Sequence, residues 1–213
     1  MIDFDAVIFD LDGTIADSNY VWEKIDVDFF GKRGLDVPED YLRKIDSLSF
    51  NDAAVFTKNE YGFSESTDEI KAEWCAMAKD EYSFKVKPKK YAGEYIKKIK
   101  ENGAKIALCT ASPKELYEPF LKNNGMYSYF DVFVSGTEVK RGKAFPDIYL
   151  LAAERLGVPP KRCVVFEDIL SAVLGAKSAG MTVYGIADFK SERHKEKIME
   201  AADGFIYDFS EIM

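Results

Sequence analysis

The 213-residue sequence predicts an α/β protein, a doubly wound parallel sheet with a small helical unit inserted after the first strand. Three observations carry that expectation. From residue 88 onward, short apolar runs alternate with amphipathic stretches of helical length. Residues 15–84 hold helical patterns rich in aromatics and no second strand-like run. The first four apolar runs each lead into polar residues, and in such sheets ligands bind at the carboxyl ends of the strands.

The elements follow in order. Val7-Ile8-Phe9 reads as a buried strand, because an apolar run ends in the Gly13-Thr14 turn. Tyr20, Val21, Trp22, Ile25, Val27, Phe29 and Phe30 make one amphipathic helix, which Gly31, Gly34 and Pro38 end. Further helices are expected over 39–45, 50–60 and 66–82. Beyond residue 88 come a helix over 91–100, a strand at 105–109, a helix over 113–123 and a strand at 132–134. A helix over 147–156, a strand at 163–166, a helix over 170–179 and a strand at 182–186 follow. A last helix at 192–201 and an edge strand at 204–207 close the chain. This divides it into a core of residues 1–16 and 86–213 and an inserted unit of residues 17–85.

Composition narrows the function. A hydrophobic fraction of 47% fills a real core, and a net charge of -8 disfavours a nucleic-acid surface, which needs a Lys/Arg footprint. Cys75, Cys109 and Cys163 are scattered and form no Cys-x-x-Cys pair, which argues against a disulfide framework and structural zinc and fits a reducing cytoplasm. No stretch reaches the length of a membrane span, the start lacks a signal-peptide pattern, and nothing demands an obligate protein partner.

The chemistry gathers at the strand ends. Alternation along an extended backbone puts Asp10 and Asp12 on one side of the chain. Two carboxylates so close resist joint ionisation, so either one keeps a proton or a cation sits between them. An ionised carboxylate can attack phosphorus, and a protonated neighbour can donate to a leaving oxygen. Thr110-Ala111-Ser112 follow the second strand, Arg141-Gly142-Lys143 the third, and Glu167-Asp168 the fourth. Asp10, Asp168 and a backbone carbonyl near Asp12 form an oxygen-rich set suited to Mg²⁺, and Lys143 offsets remaining negative charge. Thr110 and the amides of the helix opening at Pro113 can donate to phosphate oxygens. The same residues also serve as caps, turns and solvated charges in many proteins. Glu167-Asp168 resists that bland reading, because adjacent acids at the end of a buried strand repel unless a cation is present.

Asp10-Leu11-Asp12-Gly13-Thr14, Thr110, Gly142-Lys143-Ala144-Phe145-Pro146-Asp147, and Glu167-Asp168 with Ala179-Gly180-Met181 resemble the four ordered motifs of the haloacid dehalogenase-like (HAD) hydrolase superfamily. The resemblance covers the whole chain. The inserted unit is similar to the helical cap of the branch containing phosphoglycolate phosphatase and β-phosphoglucomutase, on a Rossmann-like core. By that resemblance Asp10 is the nucleophile that forms an aspartyl-phosphate, and Asp12 is the general acid and then the base for water. Thr110 and Lys143 hold the phosphoryl group, with Ala111 and Ser112 beside them. Asp168 binds Mg²⁺ with Asp10 and the Asp12 carbonyl, and Glu167 is a further ligand or its partner.

Departures from the pattern shape the reading. Ile169 stands where many relatives have Ser, and Ala172 replaces a frequent Gly. The cap His and Arg of sugar phosphomutases correspond to Trp22 and Phe50, which favours hydrolysis over a mutase. Trp22 is the aromatic best placed to touch substrate, while Tyr20, Phe50, Phe56, Trp74 and Tyr82 are expected mainly in the cap core.

Other signals are set aside. Residues 136–144 imitate a P-loop with one residue too many between the glycines, and Asp10-Leu11-Asp12-Gly13 imitates an EF-hand with its Gly too early. His194 is expected on a solvated helix face, Cys109 as an inert buried thiol, and Asp17-Ser18 as the cap of the first inserted helix. The expectation is therefore a Mg²⁺-dependent phosphatase acting on a small phosphate ester. A β-phosphoglucomutase-like enzyme and a non-catalytic binding protein are the alternatives.

Overall fold

The computed structural model describes residues 4–45 and 48–213, so residues 1–3 of the expected core and 46–47 of the expected insertion lie outside it. Strand β1 (Ala6–Phe9) is fully buried and runs into the Asp10 turn. Helices α1 (Asn19–Gly31), α2 (Tyr41–Ile45), α3 (Phe50–Tyr61) and α4 (Thr67–Asp80) make the inserted unit. Ser49 accepts from the Asp52 amide to start α3, and a reciprocal Ser66–Glu69 box starts α4. The expected helix over 66–82 stops early. It passes into a π-helical turn at Glu81–Lys85, a distortion that sequence periodicity does not reveal.

The remaining elements are α5 (Ala92–Glu101), β2 (Lys105–Thr110), α6 (Lys114–Asn123), β3 (Val132–Ser135) and α7 (Asp147–Leu156). After them come β4 (Cys163–Glu167), α8 (Leu170–Ser178), β5 (Thr182–Ile186), α9 (Lys195–Ala201) and the edge strand β6 (Gly204–Ile206). The strands pair in parallel in the order β3-β2-β1-β4-β5-β6. β1 thus lies between β2 and β4, and the order reverses beside it, which centres Asp10 at the carboxyl edge between Thr110 and Glu167.

Alternation splits the core. Ala6 and Ile8 face one apolar cluster with α7, α8 and α9, while Val7 and Phe9 face another with α5 and α6. That second cluster continues without a break into the insertion, reaching Phe29, Phe30 and Trp74. The chain enters and leaves residues 17–85 side by side. The Asp17 N–H donates to the Lys87 carbonyl and the Lys89 N–H to the Ile15 carbonyl, both at 2.9 Å, around an antiparallel bridge of Ala16 with Pro88.

Three local expectations meet tertiary structure. His194 is half-buried at the end of a 3-10 turn beside Ile169 and Leu170, not solvated on a helix face. Cys75, Cys109 and Cys163 are free, and burial pushes the Cys109 thiol far up, consistent with an inert residue. Among the described residues no helix is long and apolar enough to cross a membrane.

Asp26 gives the insertion a pH-dependent stability. Burial pushes its carboxyl up to about 7, against the pull of Lys190 and Tyr41. The folded chain therefore keeps a proton that an unfolded aspartate releases near pH ~3.9, so stability falls as pH rises from about 4 to about 7 and is level above. Thermal melts should show Asp26→Asn melting above the wild type at pH 8, with the difference shrinking toward pH 4. An equal gap at both pH values would remove Asp26 as the cause.

Candidate active site

The end of β1 delivers Asp10 into a buried position, where its two oxygens have different partners. Oδ2 accepts from the Thr14 hydroxyl at 2.9 Å, and Oδ1 lies 2.5 Å from Lys143 Nζ. The Asp10 N–H continues the ladder to the Phe166 carbonyl at 3.1 Å, so β4 fixes its height. Lys143 arrives on an irregular loop between β3 and α7 and also lies 2.5 Å from Glu167 Oε1. Burial pulls the lysine's proton affinity down, but Asp10 and Glu167 override it and keep the ammonium charged. That same Glu167 oxygen accepts from the Tyr149 hydroxyl of α7 at 2.8 Å. Glu167 thus anchors the lysine.

The acids outnumber the cation. Burial raises the carboxyls of Asp10, Glu167 and Asp168 above the usual range; repulsion from Asp12 adds to it at Asp10, from Asp10 at Glu167, and from Asp10 and Glu167 at Asp168. Carboxylate oxygens of these three residues lie within 4.8 Å of one another. Asp168 Oδ2 accepts from Asn19 at 3.2 Å, while Asp168 Oδ1 is buried without a partner among the described residues. An orphaned buried carboxylate oxygen beside two further acids fits a hard divalent cation.

Asp12 sits in a different setting. Its Oδ1 accepts from Ser18 Oγ at 2.6 Å and from the Tyr82 hydroxyl, and its Oδ2 accepts from Ser112 Oγ at 2.7 Å. Ser18 does not cap α1 with its side chain, as its place in the sequence suggests: its backbone, at φ −118° and ψ −6°, is not extended as a capping serine's is, and its hydroxyl is turned to donate to the acid. Ser112 likewise has its hydroxyl on Asp12 and its N–H on Thr110 Oγ1 at 2.9 Å. Thr110 is fully buried at the end of β2, and the exposed Ala111 can offer only its backbone. Trp22 is half-buried and packs on the Tyr82 ring at 6.2 Å and on Phe50 at 5.7 Å. The sequence reading misses Tyr82, Tyr149, Asn19 and Asp188. Of these, Asp188 is within reach of the sequence, since it follows β5 as Asp168 follows β4.

Two glycines let these parts meet. A Cβ on Gly13, whose φ is +83°, would stand 2.2 Å from Asp168 Oδ2 and 2.4 Å from Asn19 Nδ2. A Cβ on Gly175 of α8 would stand 2.0 Å from the Lys143 carbonyl, so the helix needs glycine there to seat the lysine loop.

Comparison with known proteins places the chain in a family. Residues 4–180 match the haloacid dehalogenase-like hydrolase family. A phosphorylated carbohydrates phosphatase of Thermotoga maritima is 33% identical over 183 residues, covering 85% of both chains. Solved structures share the fold. CbbY from Rhodobacter sphaeroides in complex with phosphate superposes with a TM-score of 0.84 at 24% identity, covering 98% of this chain and 96% of that one. A β-phosphoglucomutase from Clostridium difficile gives 0.80 at 22% identity, covering 99% and 93%. With its parallel sheet, its helical insertion after β1 and its acids gathered at the strand ends, the chain belongs to the haloacid dehalogenase-like hydrolase family.

Proposed function

We propose that this hydrolase is a Mg²⁺-dependent phosphatase of the cytoplasm that cleaves a small phosphorylated metabolite, of the carbohydrate class, through an aspartyl-phosphate on Asp10. The observation that carries the reading is the unequal setting of the two acids after β1. Asp10 is paired with an ammonium, which opposes the upward push of burial on its carboxyl and so supports the ionised nucleophile. Asp12 is held by three hydroxyls, which can be exchanged for a substrate oxygen without leaving a charge unpaired. The phosphatase of Thermotoga maritima, named for phosphorylated carbohydrates, supports the substrate class.

In the first step an Asp10 oxygen attacks phosphorus, the bond to the leaving oxygen breaks, and Asp12 gives that oxygen its proton. In the second, Asp12 takes a proton from water as the water oxygen attacks the same phosphorus, which frees inorganic phosphate and restores Asp10. Lys143, Thr110 and the backbone of Ala111 hold the non-bridging oxygens, with Ser112 beside them, its N–H on Thr110 Oγ1. Residues 17–85 serve as a cap that excludes water, with Trp22 on the substrate side. Mg²⁺, held by Asp10, Asp168 and the Asp12 carbonyl with Glu167 beside them, supplies positive charge that lets one anion approach another.

Phosphate release from a panel of sugar phosphates and other small esters, with Mg²⁺ and with chelator, tests the reading. Release that needs Mg²⁺ is expected. Conversion of glucose 1-phosphate to the 6-phosphate without free phosphate would make it a mutase, and Mg²⁺ binding without turnover of any ester would make it a binding protein.

Tyr82 lends itself to a finer test. Its hydroxyl orients Asp12 from the insertion, so Tyr82→Phe should slow alkyl phosphates, whose leaving oxygen needs a proton, by about 10-fold in kcat. With p-nitrophenyl phosphate, whose leaving group needs no acid, kcat should hardly change. An equal loss on both substrates would make Tyr82 a packing residue only.

A further inference from the structure

Asn19 opens α1 and is buried, and its side-chain amide serves two carboxylates at once. Nδ2 donates to Asp168 Oδ2 at 3.2 Å and to Asp188 Oδ1 at 2.8 Å, which uses both of its hydrogens. Asp188 lies just beyond β5, shielded from solvent, and Lys89 holds it. The Lys89 Nζ is 2.7 Å from Asp188 Oδ2 and 3.1 Å from the Ala187 carbonyl. The backbone N–H of Lys190 adds a bond to Asp188 Oδ1 at 3.0 Å. A continuous line of contacts therefore runs from Lys89 through Asp188 and Asn19 to Asp168. It ends at Asp168 Oδ1, the buried oxygen with no partner among the described residues.

We propose that Asn19 and Asp188 are positioning residues for the divalent cation, an inference that rests on the metal-site reading above. The charges explain the choice of side chains. Lys89 neutralises Asp188, which makes Asp188 a fixed acceptor with no claim on the cation. Asn19 is a neutral donor, so it fixes the rotation of the Asp168 carboxylate through Oδ2 and leaves both the charge and Oδ1 for the metal. A lysine or arginine in its place would orient the same carboxylate while cancelling the charge that attracts the cation. Gly13 leaves the space, since a Cβ there would collide with both the amide and the carboxylate.

Calorimetric titration of MgCl₂ into metal-free protein tests the proposal, using the wild type, Asn19→Ala, Asp188→Asn and Asp168→Asn. Asn19→Ala should bind Mg²⁺ roughly 10- to 100-fold more weakly, and Asp188→Asn should shift the same way by less. Both should keep a near wild-type KM for substrate once Mg²⁺ is saturating, a split that a general loss of structure would not give. Asp168→Asn should lose binding. If it binds like the wild type, the metal-site reading fails; if it loses binding while Asn19→Ala keeps full affinity, only the positioning role is overturned. A lower metal-free melting temperature in Asn19→Ala with unchanged Mg²⁺ affinity also overturns it, because the amide then merely braces α1. Should Asn19→Ala not fold, the isosteric Asp188→Asn decides, and wild-type affinity in that variant rejects the proposal.

Discussion

Asp10→Asn should stop phosphate release, with kcat falling by about 10⁴-fold or more, while the variant without Mg²⁺ should melt at a higher temperature than the wild type. The first effect follows from the role proposed for Asp10, since an amide oxygen in its place would not form an aspartyl-phosphate. The second follows from charge. Asp10, Glu167 and Asp168 are buried within 4.8 Å of one another, and one ammonium, Lys143, faces Asp10 and Glu167. Replacing one acid by its isosteric amide relieves repulsion and leaves Lys143 paired with Glu167, worth about 1 kcal/mol or roughly 2–4 °C. Phosphate assays and melts in chelator measure both. Turnover within tenfold of the wild type would end the nucleophile assignment. A lower melting temperature would show that the Asp10–Lys143 pair outweighs the repulsion.

Gly13→Ala should damage both stability and turnover. At φ +83° an alanine is strained by about 1–2 kcal/mol. Its Cβ would also lie 2.2 Å from Asp168 Oδ2 and 2.4 Å from Asn19 Nδ2, so both side chains must move. A total loss of about 3 kcal/mol, roughly 6–12 °C, is expected. Turnover should fall by about 10²-fold, because Asp168 is displaced. Gly31→Ala is the control: nothing lies within 4 Å of a Cβ there and it ends α1, so that variant should be neutral or slightly more stable. Equal behaviour of the two variants in melts and assays would refute the steric account.

The sequence shows the sheet and its chemical edge because both are written locally. Short apolar runs end at Asp10, Thr110 and Glu167, and the order of the motifs places Lys143 among them. What joins α1–α4 to that edge is not local. Ser18 looks like a helix cap until a carboxylate from the preceding turn comes within reach. Tyr82 looks like one more cap aromatic, because nothing in its neighbourhood announces that a π-helical turn aims its hydroxyl at Asp12. Asn19 acquires its role only when β4 and β5 bring Asp168 and Asp188 together, residues 149 and 169 positions away.

The apolar cluster that runs from Phe9 and Phe166 beneath the sheet edge to Phe29 and Trp74 in the insertion has a thermodynamic consequence. Any parting of the two bodies wets some of that cluster, and hydration of apolar surface brings a positive heat-capacity change. The population of parted molecules is therefore curved in temperature, with a minimum and a rise on both cooling and heating. Where substrate capture needs such a parting, an Arrhenius plot of kcat/KM should bend even if the chemical step does not.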